Sequence, residues 1–155
     1  MKFLCDEMLQ RLGNWLRAAG YDTLVESDGR SDYDLLRQAI DEGRYLITRD
    51  QKLMEHRRAP GNVILLTCDG LEECVRSLSE QLPVDWQYQP FKRCTVCNTP
   101  LNLASAKQMQ SIPANSQKAI TEAFYCPTCD QVYWDGSHVK RMRAQLEKWH
   151  ALYNS

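Results

Sequence analysis

The chain has 155 residues, 43% apolar and 25% charged, with a formal net charge of −1. That length suits one domain or two small ones, and the near-neutral balance excludes a molecule that is basic all over. No apolar run approaches the roughly 18 residues of a membrane span, and Met1-Lys2-Phe3-Leu4-Cys5-Asp6 reaches charge too early for a signal peptide, so a cytoplasmic protein without membrane contact is expected.

Residues 1–82 alternate strand and helix signals. Lys2–Cys5 is a short apolar run, read as the first strand. Met8, Leu9, Leu12, Trp15, Leu16 and Ala19 recur at helical spacing, and Gly20 closes that helix. Thr23–Val25 reads as strand two, followed by a polar loop over Glu26–Arg30. Ser31 can cap a helix that buries Leu35, Leu36, Ala39 and Ile40 and ends at Gly43. Tyr45–Thr48 is strand three, Gln51–Arg58 a short helix broken by Pro60-Gly61, and Val63–Leu66 strand four. Leu71, Val75, Leu78 and Leu82 stripe a further helix.

Strands separated by helices predict an α/β fold with a parallel sheet and right-handed crossovers. Apolar runs this short and continuous suit strands covered by helices on both faces.

Residues 83–92, with two prolines and three aromatics, read as a linker that partly packs down. Residues 93–155 form a second unit, and its signature is Cys94-x-x-Cys97 with Cys126-x-x-Cys129. Each pair places two thiolates on one tight turn, and two such turns make a closed tetrahedral zinc site. The stretch 98–125 is too poor in apolar residues to build a core unaided, so zinc is expected to supply folding free energy here. A last amphipathic helix turns Val139, Met142, Leu146, Trp149 and Leu152 inward. Of the seven cysteines, Cys5, Cys68 and Cys74 remain, each expected to be a reduced, buried small hydrophobe. Residues 91–155 carry eight Lys/Arg, Lys118 among them, against four acids. That excess of +4 falls to about +2 once four thiolates hold a zinc dication.

The chemistry is sought beyond the carboxyl ends of the strands, where open parallel sheets hold their ligands. Asp6 follows strand one, Asp50 follows strand three within Thr48-Arg49-Asp50, and Asp32 and Asp34 open the second helix. Clustered carboxylates stay ionised only with a cation among them, and hard oxygen donors suit Mg²⁺ or Mn²⁺. Such an ion activates water and neutralises charge on a phosphate, so Asp6, Asp34 and Asp50 are candidate catalytic and metal-binding residues. Glu7, Asp32 and Thr48 could support them, and Arg11, Arg17, Arg49 and Lys52 could meet substrate phosphates. Each acid also has a structural reading, since an Asp after a strand often caps the next helix. Tyr125, Tyr133 and Trp134 either stack on nucleic-acid bases or pack around the zinc.

Phe3-Leu4-Cys5-Asp6, Leu12-Gly13-Asn14-Trp15-Leu16-Arg17 running into Gly20-Tyr21-Asp22, and Thr48-Arg49-Asp50 resemble a PIN-like ribonuclease domain. Arg93-Cys94-x-x-Cys97-Asn98, Phe124-Tyr125-Cys126-x-x-Cys129 and Tyr133-Trp134-x-Gly136-Ser137-His138 extend the likeness. Together they resemble the Mut-seven C-terminal RNase domain family, a PIN-like fold fused to a zinc ribbon. The resemblance implies a Rossmann-like core, a divalent-metal acidic site at Asp6, Asp34 and Asp50, and RNA as substrate. It leaves a homodimer, or a protein inhibitor or partner, open. Where many PIN nucleases place a fourth acid, this chain has Gln51 and Lys52, with Asp69 a poor substitute. A non-catalytic RNA- or protein-binding adaptor is therefore the second reading. A receiver-type phosphoacceptor is a third, and it needs a fifth strand bearing a lysine.

Overall fold

The computed structural model describes residues 1–117 and 122–154; Lys118, counted above among the basic residues, lies outside them. Four parallel strands, β1 (Phe3–Cys5), β2 (Thr23–Val25), β3 (Tyr45–Thr48) and β4 (Val63–Leu65), form a sheet in the order β2-β1-β3-β4. Cys5 pairs with Val25 on one side and Ile47 on the other, so the carboxyl ends of β2, β1 and β3 lie level.

The crossovers are α1 (Gln10–Ala18), α2 (Asp32–Glu42) and a 3-10 turn over Gln51–Glu55, with α3 (Leu71–Gln81) following β4. The expected caps are in place. Ser31 accepts from the Asp34 amide at the start of α2, and Gly43 ends it in the left-handed conformation with φ 67°.

Alternate strand residues divide between two cores, as the period of two requires. Phe3, Cys5 and Ile47 pack with Leu12 and Leu16 of α1 and with Val75 and Leu78 of α3. Leu4 and Leu46 pack on the opposite face with Leu35, Leu36 and Ala39 of α2. Helices thus cover both faces. Gly13 lets α1 approach β2, because a Cβ there would lie 2.5 Å from the Val25 side chain. Gly20 has φ 104° and lies against the Gln89 backbone, a position that admits no side chain.

Two inward assignments need correction. Met8 is 71% exposed, because residues Glu7–Leu9 form a 3-10 turn ahead of α1 and rotate it off the helical face. Leu152 is also exposed, because its helix runs past the edge of the core and Tyr153 takes the inner position.

Segment 83–92 enters the first core through Val84, Trp86 and Phe91, all buried. The second sheet is antiparallel, β5 (Asn102–Leu103), β6 (Ala123–Cys126) and β7 (Gln131–Trp134). Two short helices, α4 (Ala106–Met109) and α5 (Ala114–Gln117), lie between β5 and β6. Its apolar centre is small: Ile112, Ala123 and Val132. The helix α6 (Ser137–Tyr153) returns to the first core, where Leu146 and Trp149 are buried and Trp149 meets Trp15 and Trp86 edge to face. No helix among the described residues is long and apolar enough to cross a membrane.

Cys68 and Cys74 are joined in a disulfide, correcting the expectation that both are reduced. The loop after β4 turns directly into α3, which brings residues six apart in sequence to a Cα separation of 5.0 Å, within bridging range. Cys5 is the buried free thiol expected, and burial pushes its pKa up to about 12.

Candidate functional site

The site is assembled where β1 and β3 end. Asp6 and Asp50 each leave a strand and cap the turn that follows. Asp6 Oδ1 accepts from the Met8 amide at 3.1 Å, and Asp50 Oδ1 accepts from the Lys52 amide at 2.9 Å. The structural reading of these acids is therefore correct, but it does not account for the whole arrangement. The buried Thr48 hydroxyl donates to Asp6 Oδ2 at 2.7 Å and accepts from the Asp50 amide at 3.0 Å. One side chain thus links two acids 44 positions apart in sequence.

Asp34 stands apart. It lies in the first turn of α2 with an exposed carboxylate that no described residue hydrogen-bonds. Asp32 is half-buried in the same turn, and Glu7 is exposed beside Asp6. Glu26 is the acid that the sequence reading passed over. It follows β2, is buried, and its amide bonds the Cys5 carbonyl at 2.9 Å. Burial favours the neutral acid, but the Asp28 amide and the Arg30 guanidinium hold its carboxyl below the ordinary range. An acid directly after a strand, the signal used for Asp6, would have found it.

The candidate phosphate-binding cations divide. Arg11 and Lys52 are exposed. Arg49 donates to the Cys68 carbonyl at 3.2 Å, and its buried Nε has no partner among the described residues. Arg17 is not available to a phosphate. It is 7% exposed and donates to the carbonyls of Thr23, Thr95 and Val96, because it pins the first cysteine turn to β2.

That turn belongs to the second centre. Cys94, Cys97, Cys126 and Cys129 place their sulfurs within 4.8 Å of one another, with Cys94 to Cys129 at 3.9 Å and Cys97 to Cys126 at 3.5 Å. Four Zn–S bonds of about 2.3 Å in a tetrahedron require sulfurs about 3.8 Å apart, so the quartet fits zinc. Among the described residues it is the one group of three or more metal-ligating side chains gathered so closely; the three aspartates are not. Burial raises the Cys97 thiol, but hydrogen bonding with Thr99, Cys129 and Cys126 together draws it down to about 6, while the sulfur neighbours of Cys129, Cys97 first, push that thiol up to about 12. A dication would relieve that conflict. Tyr133 Oη lies 3.0 Å from the Cys94 sulfur, and Tyr125 and Trp134 pack against the small ribbon core. All three aromatics make the packing contacts that one of the two readings expects.

The donor chemistry of Asp6 and Asp50 fits a hard cation. Mg²⁺ is commonly held by one or two carboxylates, with water and substrate phosphate completing the shell. Asp50 Oδ2 has no hydrogen-bond partner among the described residues, and each capping oxygen keeps a second acceptor site.

No curated protein and no solved structure is detectably similar to the chain. Residues 1–146 match the Mut7-C RNAse domain, a span that includes the parallel sheet, the acidic edge and all four clustered cysteines. The chain therefore belongs to the Mut7-C RNAse domain family.

Proposed function

We propose that the protein is a Mg²⁺- or Mn²⁺-dependent ribonuclease whose acidic edge hydrolyses RNA phosphodiester bonds, with a structural zinc ribbon bracing the catalytic domain. The observation that carries this reading is the Asp6–Thr48–Asp50 chain at the carboxyl edge of adjacent strands.

Asp6 and Asp50 would hold the divalent ion, with Asp34 reaching its water shell from α2. The ion, when bound, supplies a water of lowered pKa and offsets charge on the phosphate. Thr48 orients Asp6 by donating to it, and its acceptance from the Asp50 amide fixes the turn carrying the second acid. In the reaction a water oxygen bonds to phosphorus while a bridging P–O bond breaks. The water's proton passes to solvent or a nearby carboxylate, and the departing oxygen takes up a proton from solvent and leaves as a hydroxyl.

The adaptor reading draws support from the three aspartates not gathering into one close ligand group and from Gln51 and Lys52 occupying the turn after Asp50. One experiment separates the two. Zinc-loaded protein is incubated with a mixed RNA pool with and without Mn²⁺, beside Asp6→Asn and Asp50→Asn. Cleavage that needs Mn²⁺ and disappears in both variants supports the ribonuclease. Binding without cleavage supports the adaptor.

A further inference from the structure

A second feature lies on the α2 face of the sheet, lined by residues given no functional role above. An open groove of about 580 Å³ runs between α2 and the segment after the Asp50 turn. One wall is the exposed stripe Tyr33, Arg37 and Asp41, and the other is His56, Arg57 and Arg58. Arg57 and Arg58 are exposed, and neither guanidinium has an ion-pair partner among the described residues. Arg37 approaches Asp41 at 3.9 Å, with both side chains about two-thirds exposed, a pairing that holds the cation weakly. The groove therefore offers three guanidinium groups against one carboxylate. Tyr33 is 61% exposed and sits at its α2 end with no aromatic neighbour among the described residues.

The geometry points to this groove as the track for a single-stranded RNA segment, with Tyr33 as a base-stacking platform and Arg37, Arg57 and Arg58 on the phosphates. Cations spaced along a channel that also carries a bare aromatic ring are the arrangement by which unpaired strands are held without sequence choice. A duplex would leave Tyr33 unused, because its bases are already stacked. The two walls are continuous with the acidic edge. Tyr33 is flanked by Asp32 and Asp34, and Arg57 and Arg58 follow the short turn that Asp50 caps. A strand in the groove is thus led toward the carboxylates along about 12 Å of helix, eight residues from Tyr33 to Asp41. The identity of the polymer rests on the ribonuclease reading; the groove itself does not.

The test uses full-length zinc-loaded protein and a fluorescein-labelled twelve-nucleotide oligouridylate, with no added Mg²⁺ or Mn²⁺. Anisotropy is followed between 50 and 200 mM salt. The triple variant Arg37→Gln, Arg57→Gln, Arg58→Gln is expected to weaken binding about tenfold or more at the lower salt and to make the salt slope shallower by about 2. Tyr33→Ala is expected to weaken binding at least about fivefold, and Tyr33→Phe to restore it. Unchanged zinc content and circular dichroism establish that the variants are folded. Wild-type affinity and slope in the triple variant would overturn the proposal. So would equal affinity for a duplex of the same length, or stronger competition by polyglutamate than by unlabelled oligonucleotide, which would assign the groove to an acidic protein. A chain that binds through the groove but cuts nothing loses the ribonuclease reading and keeps this one. A triple variant that cuts with unaltered KM does the reverse.

Discussion

Asn98 donates from its side-chain amide to the Asp22 carboxylate at 2.7 Å and accepts from the Thr23 amide at 2.9 Å. The residue just after the first cysteine pair therefore finishes the edge of β2. Asn98 is 8% exposed and adopts φ 75°, a conformation that asparagine tolerates better than most residues. Asn98→Ala is expected to destabilise the protein by about 1–3 kcal/mol, since it strands a buried amide and strains the backbone. Urea unfolding of Asn98→Ala, Asp22→Ala and the double variant checks this. Strict additivity would show that the two residues do not act together.

The Thr48 hydroxyl serves both candidate acids, so Thr48→Val should weaken more than one property. Loss of about 1–3 kcal/mol is expected from unpairing Asp6 Oδ2 and the Asp50 amide. If the edge is catalytic, Mn²⁺-dependent cleavage should fall about 10–100-fold, the usual effect of removing a residue that orients a metal ligand. Thr48→Ser should keep most of both. Unfolding curves and initial cleavage rates measure the two effects separately.

The disulfide makes a countable prediction. Denatured, metal-stripped protein isolated without reductant should show five reactive thiols, those of Cys5, Cys94, Cys97, Cys126 and Cys129. Seven would mean that Cys68 and Cys74 are reduced. Cys74→Ser should lower stability by about 2 kcal/mol relative to the bridged protein, a small effect because the closed loop is short.

Acid should weaken the fold in a defined window. Burial favours the neutral Asp22 carboxyl, but Arg44 and Asn98 hold it below 3.8, and Glu26 is held below 4.5. Depressed folded values mean that the unfolded chain binds more protons. The stabilisation is complete above about pH 4.5 and is lost as pH falls through the folded values. Asp22→Asn and Glu26→Gln should flatten the acid limb of a stability profile taken from pH 6 to pH 2.

The elements of the first sheet were legible because their signals are local. Ser31 and Gly43 bracket α2 whatever lies around it, and three of the four strands are apolar runs bounded by turn residues. The zinc quartet was legible because two short cysteine spacings imply each other. Misread positions depend on tertiary partners. Arg17 looked like a surface cation because nothing in its own helix shows that three carbonyls, two of them 78 and 79 residues away, will surround it. Met8 and Leu152 fit a helical stripe that the helix does not present to the core there. At the acidic edge, the meeting of Asp6 and Asp50 followed from strand adjacency. The reach of Asp34 depends on how α2 is set over the sheet, which no residue spacing states. The groove was invisible for the same reason, since its walls lie about two dozen residues apart in sequence.

The return of α6 to the first core sets an order of events for the nascent polypeptide. Phe3 is made early, yet the core containing it is completed only by Leu146 and Trp149. On a ribosome, the amino-terminal sheet must wait with one greasy flank open until the final helix emerges. Holding back translation shortly before that helix should leave a chaperone-dependent intermediate rather than a freestanding nuclease fold.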